Sequence, residues 1–284
     1  MLTEGDKAMY YDAGRNYRGT GIIVDAGCFV GGTTIHLVNG LLHNDRFGPD
    51  DPRLAKIINV YDLFMIDIDY ILEDLEKNYP DREFAMDESF QAVFEDNLSE
   101  HQGMIDLKPG DVTKYTHPKD KPIEILGIDL CKALPITDHV VRSFFPSLIE
   151  DALVIHQDFM HEFHPHIHLS MMRLRAFFTP EIELPWGCSV SYRLKRKISD
   201  QDILAAFGSD TSWYSDVATN TALLDDLHDE MLHDQIKFYI LLTKAWYFAQ
   251  QQDMEQARAA YNQAIEAHPN IPPTPATKRR FAES

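Results

Sequence analysis

GIIVDAGCFVGGTT, residues 21–34, is the stretch that decides how this 284-residue chain folds. It begins with a short apolar, β-branched run, which is typical of a strand buried on both faces. Gly27, Gly31 and Gly32 follow, and the residues after them suit the start of a helix. Glycines let a backbone approach a ligand closely, and a helix N-terminus attracts an anion. The stretch therefore predicts a strand, a turn and a helix that cradle a nucleotide-like ligand.

The spacing of the glycines narrows the class of ligand. Gly27, Gly31 and Gly32 lack the G-x-G core of the dinucleotide fingerprint, so they favour a smaller adenosine-containing ligand over NAD. Asp25, at the end of the strand, would repel a pyrophosphate but can accept hydrogen bonds from an amine or a hydroxyl. A purely structural turn is the alternative at this point.

Composition excludes several classes of function. Hydrophobic residues make up 44% of the chain, which is enough for a substantial core. The net charge of −19 argues against binding to nucleic acids and to anionic membranes. No apolar run is long enough to cross a bilayer, and residues 1–20 lack the apolar block of a signal peptide. The cysteines, Cys28, Cys131 and Cys188, show no C-x-x-C spacing, so we expect a reduced, cytoplasmic protein.

Strand and helix patterns alternate as far as residue 198, which predicts an α/β fold with a doubly wound, mostly parallel sheet. The expected strands follow the one at 22–24 and lie at residues 56–64, 104–107, 123–130, 151–159 and 189–194. The expected helices include residues 3–18, 70–77, 87–101, 138–149 and 167–178.

Acidic residues recur where the predicted strands end. Asp25, Asp62, Asp129 and Asp158 all occupy such positions. Ligands of doubly wound sheets bind at the carboxyl ends of the strands, so the four acids predict a working site on one rim. The alternative is that each acid only caps the helix that follows it.

The chain changes character after residue 198, and residues 199–284 form an all-helical C-terminal region. Residues 237–270 resemble a single tetratricopeptide-type hairpin, which cannot bury its own apolar face. We therefore expect the hairpin to pack on the first domain, residues 1–198, or across a homo-oligomer. The tail after Pro272 is expected to be flexible.

Five segments together resemble a known family. GIIVDAGCFVGGTT, VYDLF, KPGDV, IEILGIDL and ALVIHQDF, in this order, are similar to the class I S-adenosylmethionine-dependent methyltransferases. The nearest resemblance is to the macrocin O-methyltransferase group, which modifies sugars on natural products. It covers residues 1–198 and implies a Rossmann-like methyltransferase fold. The C-terminal helices stay unexplained by it.

The resemblance assigns the methionine end of S-adenosylmethionine to the glycine loop. Asp25, Gly27 and Gly31 would line this part of the cofactor. Gly32 and Thr33 would place helix N–H groups near its carboxylate. The acidic rim also suits the positive charge of a sulfonium.

Two further acids match the adenosine end of the family's motif. Asp62 would receive the ribose hydroxyls, which need a group that only accepts hydrogen bonds. Asp111, which follows the Gly110 turn, would face the adenine.

The family also holds a divalent metal with acids that follow the fourth and fifth strands. Here Asp129, Gln157 and Asp158 would supply two carboxylates and an amide oxygen, a set that suits Mg²⁺. The sequence departs from the family after the fourth strand, where a second acid is expected but is absent, and Lys132 lies two residues after Leu130. Lys132 could replace the charge of the metal or act as a base, and an ordinary solvated lysine is the alternative.

Histidines cluster beside Asp158 at positions 156, 161, 164, 166 and 168. His156 and Asp158 would share a face if the strand continued through them. Any of the five histidines could serve as the general base. A metal-dependent hydrolase built on them is an alternative, although the H-E-x-x-H spacing is absent.

Taken together, the sequence predicts an O-methyltransferase that moves a methyl group from S-adenosylmethionine to a hydroxyl of a small molecule, a sugar or glycoside. Asp129, Lys132, His156 and Asp158 are the candidate catalytic residues. A non-catalytic scaffold that keeps the fold and the cofactor site is the second hypothesis. The hydrolase is the third.

Overall fold

The computed structural model describes residues 2–282. Its strands are β1 (Ile22–Ala26), β2 (Ile58–Asp62), β3 (Ile105–Pro109), β4 (Ile123–Ile128), β5 (Leu148–His156), β6 (Phe178–Glu183) and β7 (Val190–Leu194). Its α-helices in the first 198 residues are α1 (Glu4–Arg15), α2 (Gly32–Leu42), α3 (Asp69–Asn78), α4 (Gln91–Asn97), α5 (Leu134–Ser143) and α6 (Pro165–Arg173). The later ones are α7 (Asp200–Phe207), α8 (Val217–Glu230), α9 (Asp234–Gln250), α10 (Met254–Ala267) and α11 (Pro275–Phe281).

The strands form one sheet in the order β3-β2-β1-β4-β5-β7-β6. β1 to β5 pair in parallel, whereas β7 is antiparallel to both β5 and β6. This confirms the predicted α/β fold with a mostly parallel sheet. The order of the strands reverses at β1, which lies between β2 and β4, so the carboxyl ends of these three strands meet at the centre of one edge.

The central strands of the sheet are buried on both faces, and consecutive residues of such a strand enter different cores. Ile23 of β1 packs with Tyr10 of α1 and Leu37 of α2 on one face. Val24, the next residue, belongs to the opposite core with Val140 of α5. This alternation explains why the central strands read as continuous apolar runs. Within residues 2–282, no helix is both long and apolar enough to cross a membrane.

Three predictions about residues 138–183 differ from the structure. Residues 151–159 were expected as one strand, but β5 begins at Leu148 and ends at His156, and residues 157–160 form a 3₁₀ turn. The helix expected at residues 138–149 is α5, which lies several residues earlier. The helix expected at residues 167–178 is α6, which ends at Arg173 and is followed by a 3₁₀ turn and then by β6, a strand that was not predicted. Its middle residues are exposed because it is an edge strand, so it lacks the apolar signal of the central strands.

The C-terminal helices pack on the sheet domain and share its core. Ile236, Ile240 and Tyr247 of α9 lie in the same hydrophobic cluster as the strands. The opposite side of α9 packs against α10. The tail, expected to be flexible, instead contains α11, whose Thr277 and Phe281 are buried.

Candidate functional site

Backbone hydrogen bonds continue across the rim beyond the ends of the strands. The amide of Asp129 donates to the carbonyl of Ala26 (2.7 Å), and the amide of Gly27 donates to that of Tyr61 (2.7 Å). A Cβ at Gly27 would lie 2.7 Å from the carbonyl carbon of Asp129, and φ here is +92°. Only glycine allows this approach, which brings the ends of β1, β2 and β4 together.

Asp25 is buried beneath the glycine loop. Its carboxylate accepts hydrogen bonds from the hydroxyls of Thr33 (2.8 Å) and Thr34 (2.6 Å) in the first turn of α2. Its pKa is raised to about 6, mainly by burial and also by the nearby Asp129 and Asp62, and the two threonine hydroxyls oppose this shift. Asp25 therefore ties the loop to the start of the helix.

The loop above Asp25 directs backbone amides toward the rim. Gly31, with φ +94°, precedes the first residue of α2, and its carbonyl accepts the amide of Ile35 (2.9 Å). The amides of Gly32 and Thr33 lie in the first turn, where the helix offers no carbonyl partner. These amides and the helix dipole suit a carboxylate or another anion.

Asp62 is fixed at the end of β2 by two amides. One carboxylate oxygen accepts the amide of Phe29 and the other that of Phe64, both at 2.8 Å. Phe29 and Phe64, the two residues whose amides bond Asp62, both have φ of +52°, an uncommon conformation for large side chains. Burial raises the pKa of Asp62 to about 6, and the two amides oppose that shift. The thiol of Cys28 is a further donor to this carboxylate, whose two oxygens together offer about four lone pairs, so acceptor capacity remains for a hydroxyl donor.

Asp111 lies near Asp62 along the same edge, because the amide of Gly110 donates to the carbonyl of Asp62 (2.8 Å). Its own carboxylate is exposed and accepts from the amide (2.9 Å) and hydroxyl (2.7 Å) of Thr113. Asp111 thus caps the short turn that begins at Val112.

The β4–β5 side of the rim holds a bridged pair of acids. The ammonium of Lys132 lies 2.7 Å from Asp129 and also contacts Asp158. Nδ1 of His161 lies 3.3 Å from the second oxygen of Asp158. Burial raises the pKa of Asp129, and the charge of Lys132 opposes that shift. Lys132 therefore fills the space between the two carboxylates.

These residues do not fit Mg²⁺. A divalent cation binds where carboxylates converge, and here the ammonium of Lys132 occupies that place between Asp129 and Asp158. Gln157, the third expected ligand, has a buried Oε1 without a hydrogen-bond partner. Across residues 2–282, no three His, Cys, Asp or Glu side chains are grouped to hold a metal.

His156 lies in the core, away from the acids. Neither of its ring nitrogens has a hydrogen-bond partner among the described residues, and the ring is buried. Burial lowers its pKa to about 3, and the nearby His168 lowers it further. The expectation that His156 and Asp158 share a strand face was wrong, because β5 ends between them.

The remaining histidines have different roles. Nε2 of His166 donates to the carbonyl of Cys131 (3.0 Å), and Nε2 of His168 donates to that of Phe159 (2.7 Å). Burial lowers the pKa of both rings to about 4, and that of His164 to about 3. His166 and His168 are therefore neutral groups that hold backbone segments.

Tyr10 is a residue of the rim that sequence reasoning missed. It is buried, and its hydroxyl has no hydrogen-bond partner within residues 2–282. Burial raises its pKa most, and the nearby Asp25 and Asp129 also raise it. A Cβ at Gly127 would lie 2.9 Å from its ring. The signal was Gly127 itself, since a glycine inside an aliphatic strand often marks a close approach.

No family model and no curated protein matches the chain. Among solved structures it is similar to the O-methyltransferase NovP, at 18% identity over 68% of this chain and 79% of that one, with a TM-score of 0.46. The calicheamicin methyltransferase CalS11 matches at 15% identity over 66% and 77% of the chains, with a TM-score of 0.46. The pyocyanin biosynthetic protein PhzM matches at 12% identity over 65% and 54%, with a TM-score of 0.37. Because these TM-scores are below 0.5, the function rests on the residues of the rim.

Proposed function

We propose that this protein is an S-adenosylmethionine-dependent O-methyltransferase that acts on a hydroxyl of a small molecule of the sugar or glycoside class. The observation that carries the proposal is Asp62, fixed beside the glycine loop by the amides of Phe29 and Phe64. Beyond these amides and the thiol of Cys28, the carboxylate keeps acceptor capacity, which suits a hydroxyl of a ribose.

The residues at the ends of β1 and β2 would hold the cofactor. The first-turn amides of Gly32 and Thr33 would bind its carboxylate, and Asp62 its ribose. Asp111 would lie on the adenine side, next to Asp62. Asp25, tied to Thr33, keeps the loop in place. When bound, S-adenosylmethionine supplies an electrophilic methyl group.

The residues at the ends of β4 and β5 would handle the acceptor. His161 is half-exposed, and burial lowers its pKa, so its ring is neutral at pH 7. With Nδ1 beside Asp158 (3.3 Å), its Nε2 is available to take the proton of the attacking hydroxyl. Asp158 orients the ring, and Lys132 balances the charge of Asp158 and Asp129 in place of a metal.

The direct test is calorimetric titration with S-adenosylhomocysteine. We expect binding by the wild-type protein, and a loss of about tenfold or more for Asp62→Ala, because hydrogen bonds to a charged group are among the stronger ones. Asp106→Ala is the matched control, since it removes an acid from the interior of the neighbouring strand β3. No binding by the wild type, or equal binding by Asp62→Ala, would overturn the proposal.

A non-catalytic scaffold is the second candidate, favoured by the shared core of the sheet domain and the C-terminal helices. Binding of S-adenosylhomocysteine without methyl transfer to any member of a panel of free and nucleotide-linked sugars would support it.

A further inference from the structure

The segment that follows Asp158 is held from outside by the C-terminal helices. Glu162 is buried, and its Oε1 accepts hydrogen bonds from the hydroxyls of Thr274 (2.7 Å) and Thr277 (2.7 Å). A buried carboxylate is costly unless donors surround it. Here the donors come from residues more than a hundred positions away, at the start of α11.

A hydrogen-bonded chain extends this contact into α9. Nε1 of Trp246 donates to the hydroxyl of Thr277 (2.9 Å), which in turn donates to Glu162. Thr277 is fully buried, so its hydroxyl has no competing solvent. Each donation in such a chain strengthens the next one.

The neighbouring residue, Phe163, is held by the same helix. Its ring packs edge-on against that of Trp246, with 5.0 Å between the centroids. Its carbonyl accepts from Nε2 of Gln250 (3.2 Å). Glu162 and Phe163 are therefore both anchored to the C-terminal helices.

We propose that Glu162 is a positioning residue, and that α9 and α11 form the outer wall of the acceptor site by holding it. The segment from Asp158 to Glu162 is a turn of five residues, and His161 lies next to the anchor. Its other end is fixed by Asp158, which contacts the ammonium of Lys132. This inference rests on the proposed function, which defines the acceptor site. The hydrogen bonds that hold Glu162 can be tested independently of that function.

The primary test is hydrogen exchange of the full-length protein with the variant Thr277→Val. The substitution keeps the shape of the side chain but removes the donor to Glu162 and the acceptor for Trp246. We expect amides of residues 161–164 to exchange about tenfold faster or more, while peptides from β1 and β4 stay unchanged. Thr243→Val is the matched control, because that buried hydroxyl bonds only its own helix at Tyr239.

A second measurement follows the ring of His161 by NMR, with His161→Gln used to assign its signals. Burial lowers the pKa of His161 in the wild type, so a released segment should move it upward, toward the ordinary value. Trp246→Phe serves as a second variant if Thr277→Val does not fold, since it keeps an aromatic ring against Phe163.

The outcomes separate the two proposals. Unchanged exchange at residues 161–164, or an increase spread equally over the strands, would overturn the positioning role of Glu162. The affinity for S-adenosylhomocysteine should stay within about twofold of the wild type, since the anchor lies on the β4–β5 side. Absence of that binding in the wild type would instead contradict the methyltransferase.

Discussion

The two sides of the rim are built from different kinds of contact. On the β1–β2 side, Asp25 is held by the hydroxyl of Thr34, and Asp62 by the backbone amides of Phe64 and of Phe29, which lies 33 residues earlier. On the β4–β5 side, Lys132 bridges two acids, one of them 26 residues away. That side also depends on helices beyond the sheet domain. The proposed cofactor side is thus held by hydroxyls and backbone amides between residues 25 and 64, whereas the proposed acceptor side depends on ion pairs and on helices from the end of the chain.

The largest expected effect is on the β4–β5 side. His161→Ala should lower kcat by about 10²–10⁴-fold, because general-base catalysis contributes about that much. The measurement is the rate of methyl transfer to an acceptor from the sugar panel. Affinity for S-adenosylhomocysteine should change little.

His43→Ala is the control for that variant, since His43 is exposed at the end of α2. A His161→Ala enzyme with wild-type kcat would show that the proton leaves by another route. Equal losses in kcat and in cofactor affinity would show that the two sides are not separate.

The next effect concerns pH and the β1–β2 side. The pKa of Asp25 is about 6 when folded, above its ordinary value of 3.8, so the native state binds the extra proton between these values. The contribution of Asp25 to the free energy of unfolding is therefore lost as the pH rises from about 4 to 6. Asp25→Asn cannot titrate, so its stability relative to the wild type should rise by roughly 3 kcal/mol between about pH 4 and 7.

Denaturant unfolding of both proteins at several pH values measures this difference. The histidines with lowered pKa affect both proteins alike, so they cancel in the comparison. A constant difference in the free energy of unfolding across that range would contradict the buried, loop-tying role of Asp25.

The smallest expected effect is a gain of metal binding in the variant Lys132→Ala. Removing its ammonium with Lys132→Ala leaves Asp129 and Asp158 facing each other, and two carboxylates attract a divalent cation. Titration with Mn²⁺, followed by electron paramagnetic resonance, should show binding at least about tenfold tighter than in the wild type. Lys119→Ala, which breaks an exposed ion pair, is the control. Tight Mn²⁺ binding by the wild type would contradict the replacement of the metal by Lys132.

The fold could be predicted because its signals are local. Apolar runs, the glycine turn and an acid at the end of β2 all depend on neighbouring residues. β6 was missed because an edge strand carries polar residues, and the end of β5 was misplaced because the apolar pattern continues into the turn after His156.

The β4–β5 side could be predicted only in part. Asp129 and Asp158 were named because they follow predicted strands, and Lys132 because it lies three residues after Asp129, but no local pattern shows that one ammonium contacts both acids. The anchoring of Glu162 depends on Thr277, 115 residues later. An oligomer through the C-terminal helices stays a prediction.

The measurement that tests the account most directly is calorimetric titration with S-adenosylhomocysteine of the wild type, Asp62→Ala and His161→Ala. The wild type and His161→Ala should bind with similar affinity, while Asp62→Ala should bind at least about tenfold more weakly. Binding that is absent in the wild type, or unaffected by Asp62→Ala, would contradict the assignment of the β1–β2 side as the cofactor site.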